Sequence, residues 1–217
     1  MKYVKICGLK QYEQVQLCIK NGADAVGFIY DVPSSPRNMK NKEIKRLLEQ
    51  INNKIATVIV VKPSKIEDLE KIMDEFDATY FQVHCSFDLE DLCMVKPIKR
   101  NKIILALKLK KENIEDIIRQ IKQFQNQFYA FLIDNSEGYG LKLDIDLIKE
   151  VFNSTAGVNL IIAGGVNIMN VEKIVKQLNP FGIDVSSSLE SERGMKDSKI
   201  IKEFLDKIRD IRKNMRD

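Results

Sequence analysis

The fold of this chain is decided by two stretches, Leu160-Ile-Ile-Ala-Gly-Gly-Val-Asn167 and Gly182-Ile-Asp-Val-Ser-Ser-Ser-Leu-Glu190. Each begins with a short apolar run and ends in residues with little or no side chain, which is typical of buried parallel strands that open into anion-binding turns. Glycine lets the backbone approach a ligand closely, and serine adds hydroxyl donors. Either turn alone is as well explained by a simple polar loop, but together they predict a phosphate site. Its candidate residues are Gly164, Gly165, Ser186 and Ser187.

Length and charge bound the class of protein. The chain has 217 residues, of which 44% are hydrophobic, so we expect one domain with a full core over residues 1–217. The net charge of +4 is small and the basic residues alternate with acidic ones, which argues against a nucleic-acid partner. The basic C-terminal segment keeps a helical apolar stripe at Ile208 and Ile211, so we expect it to form a last packed helix.

Hydropathy and cysteine spacing bear on the compartment. No apolar stretch approaches the ~20 residues that a membrane-spanning helix needs, so no membrane association is expected. The cysteines show neither paired C-x-x-C spacing nor a disulfide-dense pattern, which favours a reducing compartment and hence the cytoplasm. They are Cys7, Cys18, Cys85 and Cys93.

Strand-like apolar runs alternate with amphipathic helical patterns along the whole chain. Strands are predicted at Tyr3–Ile6, Ala25–Ile29, Ile55–Val61, Tyr80–Val83, Ile103–Leu107, Phe128–Ile133, Leu160–Ala163 and Ile183–Val185. Helices are predicted to begin near Gln11, Asn41, Ser64, Asp88, Asn113, Asp144, Asn167 and Asp197. Eight such units in this length predict a closed parallel (β/α)8 barrel, a TIM barrel, rather than an open doubly wound sheet. The first strand also lacks the glycine-rich turn of a dinucleotide-binding fold.

In such a barrel, functional groups lie at the carboxyl ends of the strands. Cys7 follows the first strand, Arg37 lies in the long loop after the second, and Asp134 follows the sixth. His84, which follows the fourth strand, is the only histidine, so a multi-histidine metal site is excluded and a structural role is favoured for it. The sequence therefore predicts a thiol, a carboxylic acid, an arginine and an anion site on one rim.

These groups suit proton-transfer chemistry. Strand alternation places Lys5 on the same face as Cys7, where an ammonium group favours the thiolate and makes the sulfur a nucleophile or a base. Asp134 lies among apolar neighbours, a setting in which a carboxylic acid keeps its proton and can donate it. Arg37 carries a planar fork suited to a carboxylate or phosphate. The alternatives are a buried packing cysteine, a helix-capping aspartate and a solvated arginine.

Several motifs, in order along the whole chain, resemble those of the phosphoribosylanthranilate isomerase family of tryptophan biosynthesis. The opening motif and the Asp-Val-Ser-Ser motif are the most specific of them. The motifs are Val4-Lys-Ile-Cys-Gly8, Gly27-Phe-Ile-Tyr30, Ser35-Pro-Arg37, Gln82-Val-His84, Leu132-Ile-Asp134, Ala163-Gly-Gly165, Asp184-Val-Ser-Ser187, Glu190 and Lys196-Asp197.

The resemblance implies an Amadori rearrangement of N-(5-phosphoribosyl)anthranilate on a single barrel without a cofactor. It implies that Asp134 is the acid that opens the ribose ring and that Cys7 is the base that removes the C2 proton. Arg37 would bind the anthranilate carboxylate, and the glycine and serine turns would bind the phosphate. The expected partner is thus a small phosphoribosyl substrate, with the oligomeric state left open.

The chain also departs from the family pattern. Glu137 and Tyr139 replace small residues in a loop expected to close over the substrate, and Ser188 stands where glycine is usual, which implies backbone strain if its φ is positive. Two alternatives remain at this stage: another phosphosugar isomerase or epimerase, and a barrel that binds a phosphorylated metabolite or a protein partner without turnover.

Overall fold

A computed structural model of the protein describes residues 1–135 and 143–215. Eight parallel strands in this part follow one another around a sheet, and the last pairs with the first, with Val4 opposite Ile183, which closes the barrel. This confirms the predicted (β/α)8 barrel. The strands are β1 (Tyr3–Cys7), β2 (Ala25–Tyr30), β3 (Ala56–Val61), β4 (Tyr80–Val83), β5 (Ile103–Lys108), β6 (Ala130–Asp134), β7 (Leu160–Ala163) and β8 (Gly182–Val185).

Helices separate the strands and surround the barrel. They are α1 (Tyr12–Lys20), α2 (Asn41–Ile51), α3 (Ile66–Glu75), α4 (Pro97–Arg100), α5 (Ile114–Phe124), α6 (Ile145–Ser154), α7 (Val171–Leu178) and α8 (Ser198–Asn214). Two short additions lie at the rim. Asn38–Met39 extends the sheet beside β2, and Glu190–Glu192 forms a hairpin with Met195–Lys196.

Two predicted helix starts, those near Asp88 and Asn167, were wrong, each for a local backbone reason. The helix expected near Asp88 is a 3₁₀ turn followed by the one-turn helix α4, because Lys96 precedes Pro97 and is held extended (ψ 138°). The helix expected near Ser64 begins two residues later, at Ile66, with the extended Lys65 (φ −155°, ψ 166°) as its N-cap residue. The helix expected near Asn167 begins only at Val171, after a turn in which Asn167 Oδ1 accepts from two backbone N–H groups.

The barrel strands are buried on both faces, which explains their nearly continuous apolar sequences. In β1, Tyr3 and Cys7 belong to the cluster inside the barrel, whereas Val4 and Ile6 pack outward against the helices. The inner cluster is completed by Ala25, Val58, Val60, Ile104, Ala106, Ala130, Leu132, Ile161 and Ala163. Of the alanines in this cluster, Ala25 and Ala130 begin their strands, whereas Ala163 ends β7 at the carboxyl end of the barrel.

The C-terminal segment packs onto the barrel, as predicted. Ile208 and Ile211 of α8 are 1% and 5% exposed, and the Arg212 guanidinium is paired with the carboxylate of Asp24. None of the helices in the described ranges combines the length and the hydropathy that crossing a lipid bilayer requires.

Candidate active site

A cavity of about 550 Å³ opens at the carboxyl ends of the barrel strands. Because parallel barrel strands all end on one face, residues far apart in sequence meet there. All seven residues predicted for the site line this cavity: Cys7, Arg37, Asp134, Gly164, Gly165, Ser186 and Ser187. The cavity is also lined by seven charged or polar residues outside that set: Gln82, His84, Asp184, Glu190, Ser191, Glu192 and Arg193.

Cys7 is the last residue of β1 and is 5% exposed, with its thiol at the floor of the cavity. It lies opposite Gly27 of β2 in the sheet register. A Cβ atom on Gly27 would lie 2.9 Å from Cys7 Sγ and 3.3 Å from Lys5 Cε. The glycine therefore makes the space in which the thiol and the lysine stem lie side by side.

Lys5 is buried inside the barrel next to Cys7, on the strand face that alternation predicts. Its side chain is 1% exposed, and its Nζ lies 2.7 Å from Oδ1 of Asp184, its register partner on β8. Burial acts to lower the pKa of Lys5, but the Asp184 carboxylate and Cys7 more than offset it, so the net pKa is raised. Lys5 is therefore a fixed ammonium ion beside the thiol.

Burial and two neighbouring charges act on the pKa of the Cys7 thiol. Burial raises the pKa of the thiol; Lys5 lowers it and Asp184 raises it again, and the net shift is upward. The Lys5 ammonium does favour the thiolate, but its effect is smaller than that of desolvation. The predicted effect of Lys5 on the thiol is therefore present, but burial keeps the net pKa of Cys7 above the ordinary value of a cysteine.

Asp134 is the last residue of β6 and lies across the cavity mouth, half-buried, between Lys108 and Ala163 in the sheet register. Its carbonyl oxygen accepts a hydrogen bond from Leu109 N–H at 2.8 Å. His84 is close by: burial lowers the pKa of its imidazole and Asp134 opposes that effect. His84 also bonds the Gln82 side chain, with 3.0 Å between the two Nε2 atoms.

The glycine and serine turns lie side by side at the rim. Gly164 and Gly165 have φ of +79° and +73°, a conformation that side chains with a Cβ rarely adopt. Ser186 Oγ donates to the carbonyl of Cys7 at 3.1 Å, which ties this turn to the end of β1. Ser188 is not among the positive-φ residues, so the strain considered for it is absent. Glu137 and Tyr139 lie outside the described residues.

Arg37 already has a carboxylate partner within the chain. Its Nε donates to Glu190 Oε1 at 2.6 Å and its Nη2 donates to Oε2 at 2.7 Å. Lys196 Nζ also donates to Glu190 Oε1, at 2.5 Å. No role was predicted for Glu190, Lys196 or Asp184. The sequence signal for them is the opposite charges in and just after the Asp-Val-Ser-Ser motif.

Comparisons with known proteins agree with this geometry. Residues 4–207 match the family model described as N-(5'phosphoribosyl)anthranilate (PRA) isomerase. The N-(5'-phosphoribosyl)anthranilate isomerase of Sulfurihydrogenibium sp. (strain YO3AOP1) is 32% identical over 209 residues, which cover 94% of this chain and 97% of the relative.

Two solved structures are similar over nearly the whole chain, each 26% identical and each covering 97% of this chain and 100% of the other. One is the phosphoribosyl anthranilate isomerase from Thermotoga maritima, with a TM-score of 0.83. The other, with a TM-score of 0.80, is a phosphoribosyl anthranilate isomerase in complex with reduced 1-(o-carboxyphenylamino)-1-deoxyribulose 5-phosphate. This chain therefore belongs to the N-(5'-phosphoribosyl)anthranilate isomerase family.

Proposed function

We propose that this protein converts N-(5-phosphoribosyl)anthranilate into 1-(2-carboxyphenylamino)-1-deoxyribulose 5-phosphate, a step of tryptophan biosynthesis. The observation that carries the proposal is the convergence of Cys7, Asp134 and the two anion-binding turns on one cavity. An acid, a base and a phosphate site are what an isomerisation by proton transfer on a phosphosugar requires. The ligand named for the related solved structure is a reduced form of the same product.

In the first step, Asp134 donates a proton to the furanose ring oxygen. The bond between C1 and that oxygen breaks while the nitrogen lone pair forms the C=N bond of a Schiff base. Asp134 is left as a carboxylate, and C4 of the sugar now carries a hydroxyl group. The position of Asp134 at the end of β6, facing the cavity, supports this role.

In the second step, the Cys7 thiolate removes the proton from C2. The electron pair of the C–H bond forms a C1=C2 double bond, and the nitrogen takes up the C=N electrons to give an enolamine. Protonation at C1 and loss of the C2 hydroxyl proton then give the ketone. Because burial raises the pKa of Cys7, its proton is first released to solvent through the open cavity, and the adjacent Lys5 ammonium stabilises the resulting thiolate.

The two ends of the substrate would be held on opposite sides of the reacting carbons. The backbone of Gly164 and Gly165 and the turn at Ser186 and Ser187 would bind the phosphate, because both turns line the same cavity and their backbone N–H groups are suited to an anion. Arg37 would bind the anthranilate carboxylate. Holding both ends fixes C1 and C2 between the acid and the base, which lowers the entropic part of the barrier.

The setting of the reaction follows from the same chemistry. Proton transfers between an acid and a base consume no electrons, so we expect the reaction to need no redox cofactor. The four cysteines are free thiols. Together with the family, this supports a reducing compartment, and we propose the cytoplasm.

The test is to supply purified protein with N-(5-phosphoribosyl)anthranilate and follow its consumption. The product is then trapped by borohydride reduction and identified by mass. We expect multiple turnovers to the ribulose derivative. Tight binding without conversion would instead favour a protein that only binds a phosphorylated metabolite, and conversion to a different isomer would indicate another phosphosugar isomerase.

A further inference from the structure

The guanidinium of Arg37 has two edges, and the chain occupies one of them. The hydrogen bonds to Glu190 use Nε and Nη2, the side-on edge, at 2.6 and 2.7 Å. A guanidinium has five N–H donors, so its end-on edge, formed by Nη1 and the second Nη2 hydrogen, can bind another carboxylate in the same plane. The pair with Glu190 is thus compatible with a ligand on the same arginine.

Glu190 is itself held by two further donors. Lys196 Nζ donates to Oε1 at 2.5 Å, and the Gly194 N–H donates to Oε2 at 2.9 Å. The side chains of Glu190 and Lys196 are 4% and 1% exposed. Burial acts to raise the pKa of Glu190, but Arg37, Lys196 and the Gly194 N–H outweigh it and lower the pKa to about 2. Glu190 is therefore a fixed carboxylate throughout the neutral range.

The stem of Arg37 is confined as well. A Cβ on Gly8 would lie 2.5 Å from Arg37 Cδ, so the arginine stem passes directly over the backbone at the end of β1. The preceding residue, Pro36, lies against Gly194, where a Cβ would be 3.0 Å from Pro36 Cβ. Three loops, those after β1, β2 and β8, thus fix both ends of this side chain.

The cluster keeps a net positive charge. Arg37 and Lys196 contribute two positive charges and Glu190 one negative charge, which leaves a surplus of one for an incoming anion. Lys196 Nζ is turned away from any ligand because it also donates to the carbonyl and Oγ of Ser186, at 3.0 and 3.2 Å. The surplus charge is therefore presented by the arginine fork, at the cavity.

We propose that Glu190 is a positioning residue that fixes the plane of the Arg37 guanidinium, so that its end-on edge receives the aryl carboxylate of the substrate. In this role Glu190 makes the site selective for an amine substituent that carries a carboxylate. This inference rests on the proposed function but adds a determinant of specificity to it. Glu190 acts only through Arg37 and takes no part in the proton transfers.

The test measures ligand selectivity in Glu190→Gln, with two stable probes. The first is reduced 1-(2-carboxyphenylamino)-1-deoxyribulose 5-phosphate, and the second is the same compound without its carboxyl group. We expect Glu190→Gln to weaken binding of the first about tenfold, a change typical of a misplaced charge-assisted pair, and to leave the second within about twofold. For turnover, we expect KM to rise while kcat is retained.

Two further variants keep the test decisive. Glu172→Gln is the matched control, because Glu172 is also held by two lysines, Lys176 and Lys207, but on the outer surface, and we expect it to change neither affinity. Glu190→Asp keeps the charge if Glu190→Gln folds poorly, and its shorter side chain should still weaken only the carboxylated probe.

An equal loss for both probes, or no loss for either, would overturn the proposal. An equal loss would show that Glu190 has only a structural role. No loss for either probe would show that Arg37 binds the carboxylate without being oriented by Glu190. Wild-type turnover of phosphoribosylanthranilate is measured separately, so a failure of the proposed function is distinguishable from a failure of this assignment.

Discussion

Two buried ion pairs border the cavity, and they differ in what they face. The pair of Lys5 and Asp184 lies inside the barrel, with 2.7 Å between Nζ and Oδ1 and side chains 1% and 7% exposed. The pair of Arg37 and Glu190 lies at the rim, with Lys196 as a third member. The inner pair presents a point charge, whereas the rim pair presents a planar fork.

The difference indicates two ways in which a buried charge can serve one site. Lys5 adjoins the Cys7 thiol, so its charge changes the pKa of an atom that we propose reacts. The guanidinium of Arg37 lines the cavity in an orientation fixed by Glu190, so we expect the rim pair to determine substrate affinity and selectivity. We therefore expect the inner pair to affect the rate and its pH dependence, and the rim pair to affect KM.

The largest effect is expected at the proposed acid and base, of which Cys7 adjoins the inner pair. Cys7→Ser and Asp134→Asn should each lower kcat/KM by about 10²–10⁴-fold, because each removes one proton transfer. Steady-state kinetics measures the loss, and circular dichroism checks that the fold is retained. Near-normal turnover in either variant would remove that residue from the mechanism.

The next effect concerns the charge beside the thiol. Since Lys5 lowers the pKa of Cys7, Lys5→Met should raise it further and shift the rising limb of kcat/KM to higher pH. At neutral pH the rate should fall about tenfold for each unit of that shift. The pH profile of kcat/KM measures it.

Two variants control this prediction. Adding Asp184→Asn to Lys5→Met removes both charges of the inner pair. Because Asp184 raises the pKa of Cys7, the double variant should reverse part of the pKa shift caused by Lys5→Met. It also leaves no unpaired buried charge, so we expect it to fold. Lys207→Met removes a surface lysine that pairs with Glu172 and should leave the profile unchanged. An unaltered profile in Lys5→Met would show that the inner pair is only structural.

The rim pair should make the free energy of unfolding depend on pH in the acid range. Because the pKa of Glu190 is lowered from 4.5 to about 2, its charged form stabilises the fold above about pH 4.5, and this contribution is lost as the pH falls toward 2. Glu190→Gln should therefore lower the free energy of unfolding by roughly 1–3 kcal/mol at neutral pH. The difference from wild type should shrink below about pH 4.5. Urea unfolding at several pH values tests this, and a difference independent of pH would contradict it.

The smallest expected effect is on KM, in a pair of glycine variants. The pair distinguishes the cost of backbone strain from the effect of moving the Arg37 side chain. Gly8 and Gly22 have φ of +79° and +82°, so alanine should cost either site roughly 1–2 kcal/mol of stability. Only at Gly8 would the new Cβ meet Arg37, at 2.5 Å from Cδ, whereas nothing lies within 4 Å at Gly22. Gly8→Ala should therefore raise KM and Gly22→Ala should not. Equal KM values in the two variants would show that the position of the arginine stem does not matter.

The sequence predicted the barrel and the composition of its mouth because both follow from local rules. Strands buried on both faces have continuous apolar runs, and parallel closure brings the strand ends to one side. Cys7, Asp134 and the Gly164-Gly165 pair each follow such a run directly, so their meeting could be inferred. Lys5 could be placed beside Cys7 by alternation alone.

The remaining features depend on distances that a sequence does not contain. The pairing of Arg37 with Glu190 joins loops 153 residues apart, and nothing local specifies it. The pKa of Cys7 is raised by burial and lowered by Lys5, so the direction of its net shift depends on how deeply the thiol is buried. The helix expected near Asp88 is reduced to the one-turn α4 because Lys96, which precedes Pro97, is held extended.

The most direct test of the contrast between the two pairs is a single-turnover measurement at saturating substrate, with hydrogen or deuterium at C2 of the ribose. We expect Lys5→Met to lower the single-turnover rate constant. The rate constant of this variant should also show a full deuterium isotope effect, because removal of the C2 proton by Cys7 becomes rate-limiting. Glu190→Gln should retain the wild-type rate. A Lys5→Met enzyme with an unchanged, isotope-insensitive rate, or a slowed step in Glu190→Gln at saturation, would contradict the division of roles.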